Sequence, residues 1–200
     1  LPFKYYVRNN KVLKSIKDKL KPPVQENDTF YAGLPFRSID KTSIEKNFEK
    51  SLKRLQTDYV DYYLLHEGLP SFLTDEALSY LLKLKKEGKV RNIGIGSDLR
   101  GIKGLTEADV TLWDILQYGH HSPEEGETLL ARFGTQVHFH HSSLQNMGKK
   151  IINDIDPDDK GGFLLAAAAK RNPKGKILFS TRSQNSLKKN VQGFLKYYAA

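Results

Sequence analysis

The sequence predicts an α/β fold built on parallel strands. Short stretches rich in β-branched and aromatic residues alternate with stretches whose apolar residues recur at helical spacing. Between them stand turn formers such as Gly68, Pro70 and Gly88. The run from Tyr59 to Leu65 is nearly continuous in apolar residues, as expected for a strand buried on both faces. A doubly wound sheet and a closed barrel both satisfy this pattern.

In chain order, Asn10 to Leu20 reads as a helix stopped by Pro22 and Pro23, and Asp28 to Ala32 as a strand. Thr42, Ser43, Ile44 and Glu45 read as a capping box with the Thr42 hydroxyl at its head, followed by an apolar face of Ile44, Phe48, Leu52 and Leu55. After the strand ending at His66, a helix starts near Thr74, with Asp75 and Glu76 in its first turn. It ends at Lys85, Lys86 and Gly88. Val90 to Gly96 is the next strand, and Ile102 to Leu112 a weaker helix. Ile115 to Tyr118 is a short strand, Glu124 to Phe133 a helix, and Gln136 to His140 a strand of clean alternation. The polar stretch 148–162 precedes a helix from Phe163 to Arg171 and a strand from Lys176 to Ser180. Ser183 then caps a last helix whose Leu187, Val191, Phe194 and Leu195 are expected to face inward. That makes six strands, in one domain spanning residues 1–200.

The composition narrows the class of function. Net charge is +9, from 32 Lys and Arg against 23 Asp and Glu. These cations are spread over helix faces (Lys46, Lys50, Lys53 and Arg54; Lys83, Lys85 and Lys86), so the expectation is a solvated surface without a nucleic-acid partner. There is no cysteine, hence no disulfide or thiolate-metal site. No run approaches the ~20 apolar residues of a membrane span. No signal peptide is visible, and the expected location is cytoplasmic.

In parallel α/β folds, ligands gather at the carboxyl ends of strands. Standing there are His66, Ser97, Asp98, Gln117, His140, His141, Ser142, Ser180, Thr181 and Arg182. The glycines at 94 and 96 do not make a dinucleotide fingerprint, because Leu99 occupies the place of its third glycine. Ser180 to Ser183 precede a helix, which suits a phosphate as well as it suits an ordinary N-cap. His138 and His140 share one side of their strand. With His66 they outline a metal-dependent hydrolase, although packed histidines are the plainer reading.

Three segments together resemble the aldo/keto reductases. They are Ser51 to His66 (SLKRLQTDYVDYYLLH), Leu84 to Asp98 (LKKEGKVRNIGIGSD), and Leu178 to Ser183 (LFSTRS) continuing to Asn190. The resemblance covers roughly residues 28–195 and selects the barrel: an incomplete (β/α)8 TIM-type barrel. It implies reduction of small aldehydes and ketones with NADP(H), or less often NAD(H). It implies a catalytic role for His66, and carboxamide-holding roles for Ser97, Asp98 and Gln117. His141 falls where an aromatic stacks on the nicotinamide, with Ser142 beside it in the cofactor-binding set. Ser180, Thr181 and Arg182 match the adenosine-phosphate turn, and Asn190 an adenine contact.

The family's catalytic Asp and Tyr have no counterpart in the sequence, and Tyr31 stands near the place of its Lys. The resemblance therefore implies one of three things: an ordinary carbonyl reductase whose catalytic Asp and Tyr lie upstream of these residues, a reductase impaired at proton transfer, or a non-catalytic nucleotide binder on the same barrel.

Overall fold

The structure, a computed structural model, describes residues 38–67, 69–119, 123–146, 155–181 and 183–199. The expected helix at Asn10–Leu20, the strand around Thr29, Tyr31 and Arg182 lie outside these residues. The chain divides into two compact units: Leu1–Ile95 with Leu105–Asp114, and Gly96–Gly104 with Ile115–Ala200.

The first unit holds α1 (Lys41–Leu55), β1 (Val60–His66), α2 (Asp75–Lys86), most of β2 (Val90–Gly96) and a short α4 (Glu107–Val110). The head of α1 differs from the sequence expectation. Asp40 is its N-cap, accepting the Ser43 amide at 2.7 Å, and Thr42 lies inside the first turn. A carboxylate two residues upstream competes better for free amides than the threonine hydroxyl does. Thr74 caps α2 as expected. The Gly88 backbone beyond it takes φ +73, a conformation glycine adopts without strain.

β1 lies beside β2, with the Val60 amide donating to the Lys89 carbonyl at 2.9 Å. It is not buried on both faces: Asp61, Tyr62 and His66 are exposed, and of its seven residues only Leu65 is fully buried. β-Branched and aromatic residues favour extended backbone whether or not something covers them, so the apolar run forecast conformation better than burial. Within this unit Ile44 and Phe48 are buried, and the Phe48 ring meets Tyr63 edge-on at 5.1 Å. Asp114 ties the far end. It accepts the Ile93 amide at 2.9 Å and the Lys85 ammonium at 2.6 Å.

The second unit holds α3 (Leu99–Gly104), β3 (Ile115–Gly119), α5 (Pro123–Arg132), β4 (Val137–His141), α6 (Ser143–Asn146), α7 (Lys160–Arg171), β5 (Lys176–Ile177) and α8 (Gln184–Ala199). The helix expected over Ile102–Leu112 is instead two pieces, α3 and α4. Thr106 restarts the chain through a capping box with Asp109, which satisfies the free amides of a new helix rather than continuing the old one. The strand expected to run to Ser180 ends at Ile177, and the Leu178 amide makes one further bond to the His140 carbonyl at 2.7 Å.

β3, β4 and β5 are parallel, with Gln117 opposite Phe139, Tyr118 opposite His140 and Gly119 opposite His141. Leu164 and Ala168 of α7 pack with Leu144, Ile155, Phe163, Ala167 and Ile177. α8 crosses α7 at Gly162 and Gly193, where a Cβ on Gly162 would collide with Gly193 backbone. This close approach selects the small-residue face of α8. Leu187, Val191 and Leu195, expected to point inward, are exposed, and Phe194 is half-buried. Ion pairs flank the crossing: Lys189 with Asp158 at 2.8 Å, and Lys196 with Asp159 at 2.6 Å.

Candidate functional site

Alternation along β3 and β4 sorts their polar residues onto two faces. Gln117 and His141 fall on one. Tyr118, His138 and His140 fall on the other and are buried.

On the buried face the His138 Nε2 atom lies 2.9 Å from the Phe133 carbonyl oxygen, which can only accept, so Nε2 carries the proton. Nδ1 of the neutral ring then accepts the Tyr118 hydroxyl at 2.8 Å. The Tyr118 oxygen in turn accepts Nε2–H of His140 at 3.0 Å. Burial holds the His138 pKa below its ordinary value and pushes that of Tyr118 up. These contacts remove the metal-hydrolase reading. His138 has both ring nitrogens engaged, and among the described residues no group of three His, Asp or Glu side chains could hold a metal ion. His140, expected at the rim, belongs to this packed network.

The opposite face opens into a cavity of about 400 Å³ lined by Gln117, His141, Ser142, Ser143, Leu144, Leu178, Phe179 and Ser180. Four residues nominated from the sequence thus share one space: Gln117, His141, Ser142 and Ser180. β3 supplies Gln117 and β4 supplies His141. Ser142 is the turn into α6, held at φ 61, and its Oγ lies 2.9 Å from His141 Nδ1. A left-handed serine is uncommon, and such strain clusters at functional positions. The sequence gives no sign of it, because no glycine or asparagine marks the turn. Ser143 was not nominated, yet it lines the cavity with its side-chain oxygen buried and without a hydrogen-bond partner among the described residues.

Ser97 is buried and not among the lining residues, its amide donating to the Gln117 carbonyl at 3.0 Å. Asp98 heads α3: its Oδ1 accepts the Gly101 amide at 2.7 Å, and its carbonyl accepts that of Ile102 at 3.2 Å. Thr181 is exposed, with its hydroxyl 3.4 Å from the Ser183 amide, and Ser183 caps α8 by accepting the Ser186 amide at 3.3 Å. Asn190 stands against Gly161 and lines a different groove, between α7, α8 and β5. His66, in the first unit, closes β1 with its side chain 91% exposed and Nδ1 3.9 Å from Glu67 Oε1.

A profile of the aldo/keto reductase family matches residues 15–124. The chain is 39% identical over 62 residues to an aldo-keto reductase of Bacillus subtilis (strain 168), a match covering 31% of this chain and 19% of that protein. It is 34% identical over 87 residues to a protein of Escherichia coli (strain K12) named NADH-specific methylglyoxal reductase, covering 42% of this chain and 24% of the relative. The matches thus span about a fifth to a quarter of these relatives' length.

Among solved structures, an aldo/keto reductase from Brucella melitensis superposes with TM-score 0.58 at 21% identity, over 80% of this chain and 63% of that one. A holo aldo-keto reductase from Bacillus halodurans gives TM-score 0.56 at 21% identity, over 77% of this chain and 62% of that one. The likeness shows the fold, part of a (β/α)-barrel. Among the described residues no helix is long and apolar enough to cross a membrane.

Proposed function

The chain belongs to the aldo/keto reductase family, and on that premise we propose that it binds a nicotinamide dinucleotide and serves the reduction of a small aldehyde or ketone to the alcohol. The observation that carries this reading is the meeting of Gln117, His141, Ser142 and Ser180 in one cavity. Their chemistry suits a nicotinamide ring and its ribose. Gln117 offers a carboxamide that both donates and accepts, the serines offer hydroxyls, and the flat His141 imidazole offers a stacking surface. When bound, the reduced nicotinamide supplies hydride to the carbonyl carbon.

The chain's own residues supply binding and orientation. Gln117, fixed by the β3–β4 register, would hold the ring carboxamide. Ser180 and Thr181, ahead of α8, would hold phosphate with Arg182. The carbonyl oxygen needs a hydrogen-bond donor, a role that the family resemblance gives to His66 at the carboxyl end of β1. We assign NADP(H) as the preferred cofactor, on the hydroxyls and guanidinium of the Ser180–Arg182 turn.

The test is direct. The protein is titrated with NADPH and with NADH by calorimetry. Methylglyoxal, suggested by the Escherichia coli relative's name, is then added while the reduced-nicotinamide absorbance is followed. Carbonyl-dependent loss of absorbance supports a reductase. Binding without turnover supports the second reading, a non-catalytic nucleotide binder. No binding of either cofactor removes both.

A further inference from the structure

We propose that His141 and Ser142 form a nucleophilic dyad that cleaves small carboxylic esters by acyl transfer, an activity separate from hydride chemistry. Ser142 is the single residue between the end of β4 and the start of α6, and its φ of 61 turns the chain there. The conformation costs about 1–3 kcal/mol, which the surrounding packing must offset. A strained strand-to-helix turn is also how hydrolases of a different architecture present a serine nucleophile above a sheet. Here the turn places the hydroxyl on the wall of the cavity, 2.9 Å from His141 Nδ1. That is within proton-transfer reach for a serine and its base.

Two further groups suit the acyl oxygen. The Gln117 carboxamide lines the same cavity, and Ser143 adds a hydroxyl with no hydrogen-bond partner among the described residues. An unspent buried donor next to a nucleophile is a candidate for stabilising developing negative charge. Leu144, Leu178 and Phe179 make the remaining wall apolar, and the volume is about 400 Å³. The fitting substrate class is therefore an uncharged ester with a short acyl or aryl group.

The chemistry balances without a co-reactant other than water. Nδ1 of His141 takes the Ser142 proton as Oγ bonds to the ester carbonyl carbon. The bond from that carbon to the alcohol oxygen breaks, and His141 returns the proton to the departing alkoxide. The acyl-Ser142 ester is then attacked by water, which gives its proton to the same nitrogen. The carboxylic acid leaves and the serine hydroxyl is restored.

The experiment uses the full chain without any dinucleotide, so its failure would leave the reductase reading untouched. The protein is incubated with a fluorophosphonate, and the adduct is mapped by peptide mass spectrometry. p-Nitrophenyl acetate hydrolysis is measured in parallel on the same sample. The expected result is a single adduct on Ser142, lost in Ser142→Ala, with labelling slowed about a hundredfold in His141→Gln. Mapping the unaltered protein guards against a variant that merely misfolds. Absence of an adduct on Ser142, or ester hydrolysis at the unaltered rate in folded Ser142→Ala, would overturn the proposal.

Discussion

Tyr118 donates its hydroxyl proton to Nδ1 of His138 across the β3–β4 pair, at 2.8 Å and out of contact with solvent. The same oxygen receives Nε2–H of His140 at 3.0 Å, so one phenol bridges two imidazoles. Tyr118→Phe keeps the ring and leaves both nitrogens buried without that partner. The expected loss is about 1–3 kcal/mol of unfolding free energy, read as a lower urea midpoint with an unchanged slope. An unchanged midpoint would show that the network contributes nothing net.

Acid should weaken this unit through His138. Burial lowers its folded pKa from the ordinary 6.5, so in the window just below 6.5 the unfolded chain binds the proton and the folded chain does not. Stability is therefore full above that window and falls as pH drops through it. Urea unfolding at a series of pH values should show this decline, and His138→Gln, which retains a donor toward the Phe133 carbonyl, should flatten it. Equal slopes in the two proteins would remove His138 as the cause.

Gln56, the C-cap of α1, sits at φ 54 with its amide bonded to the Leu52 carbonyl. A non-glycine residue in this left-handed region pays a steric cost that glycine avoids. Gln56→Gly should stabilise the protein by about 0.5–1 kcal/mol, visible as a small rise in Tm.

Gly162 answers to the opposite constraint. Its missing Cβ is the space that Gly193 backbone occupies. Gly162→Ala should push α8 from α7, costing about 1–3 kcal/mol or more. Faster hydrogen exchange across α8 than across β3 and β4 would locate the damage.

Gln117→Ala tests the cavity as a nicotinamide site. Losing one or two amide hydrogen bonds should weaken NADPH binding roughly tenfold in calorimetry. Because the Ser97 amide bonds the backbone carbonyl of Gln117, not its side chain, local structure should survive and Tm should move little.

Much of this architecture was legible in the residues. Thr74, Gly88 and Ser183 mark helix ends through local chemistry, and local chemistry can be read one residue at a time. The alternation of Val137 to His141 correctly places His138 and His140 on one face. What it cannot supply is Tyr118, a neighbour by strand pairing, whose hydroxyl decides that these histidines are a packed network rather than metal ligands. The outward turn of Leu187, Val191 and Leu195 was equally hidden. Hydropathy favours burying leucines, whereas the Gly162–Gly193 approach rewards close backbone contact. The set Gln117, His141, Ser142 and Ser180 was found because strand ends are where loops converge. Asn190 was grouped with it by resemblance alone and lines a different groove.

Because side chains alternate strictly along β4, its pairing with β3 acts as a two-way sorter. An inserted or deleted residue between Arg132, the end of α5, and Val137 falls outside both helix and strand. One inside β4 would swing the His140 imidazole toward the cavity face and drive His141 onto the buried face that Tyr118 occupies. Sequence drift in this protein should therefore show free variation in loop length next to a segment of five residues, Val137 to His141, whose count never changes.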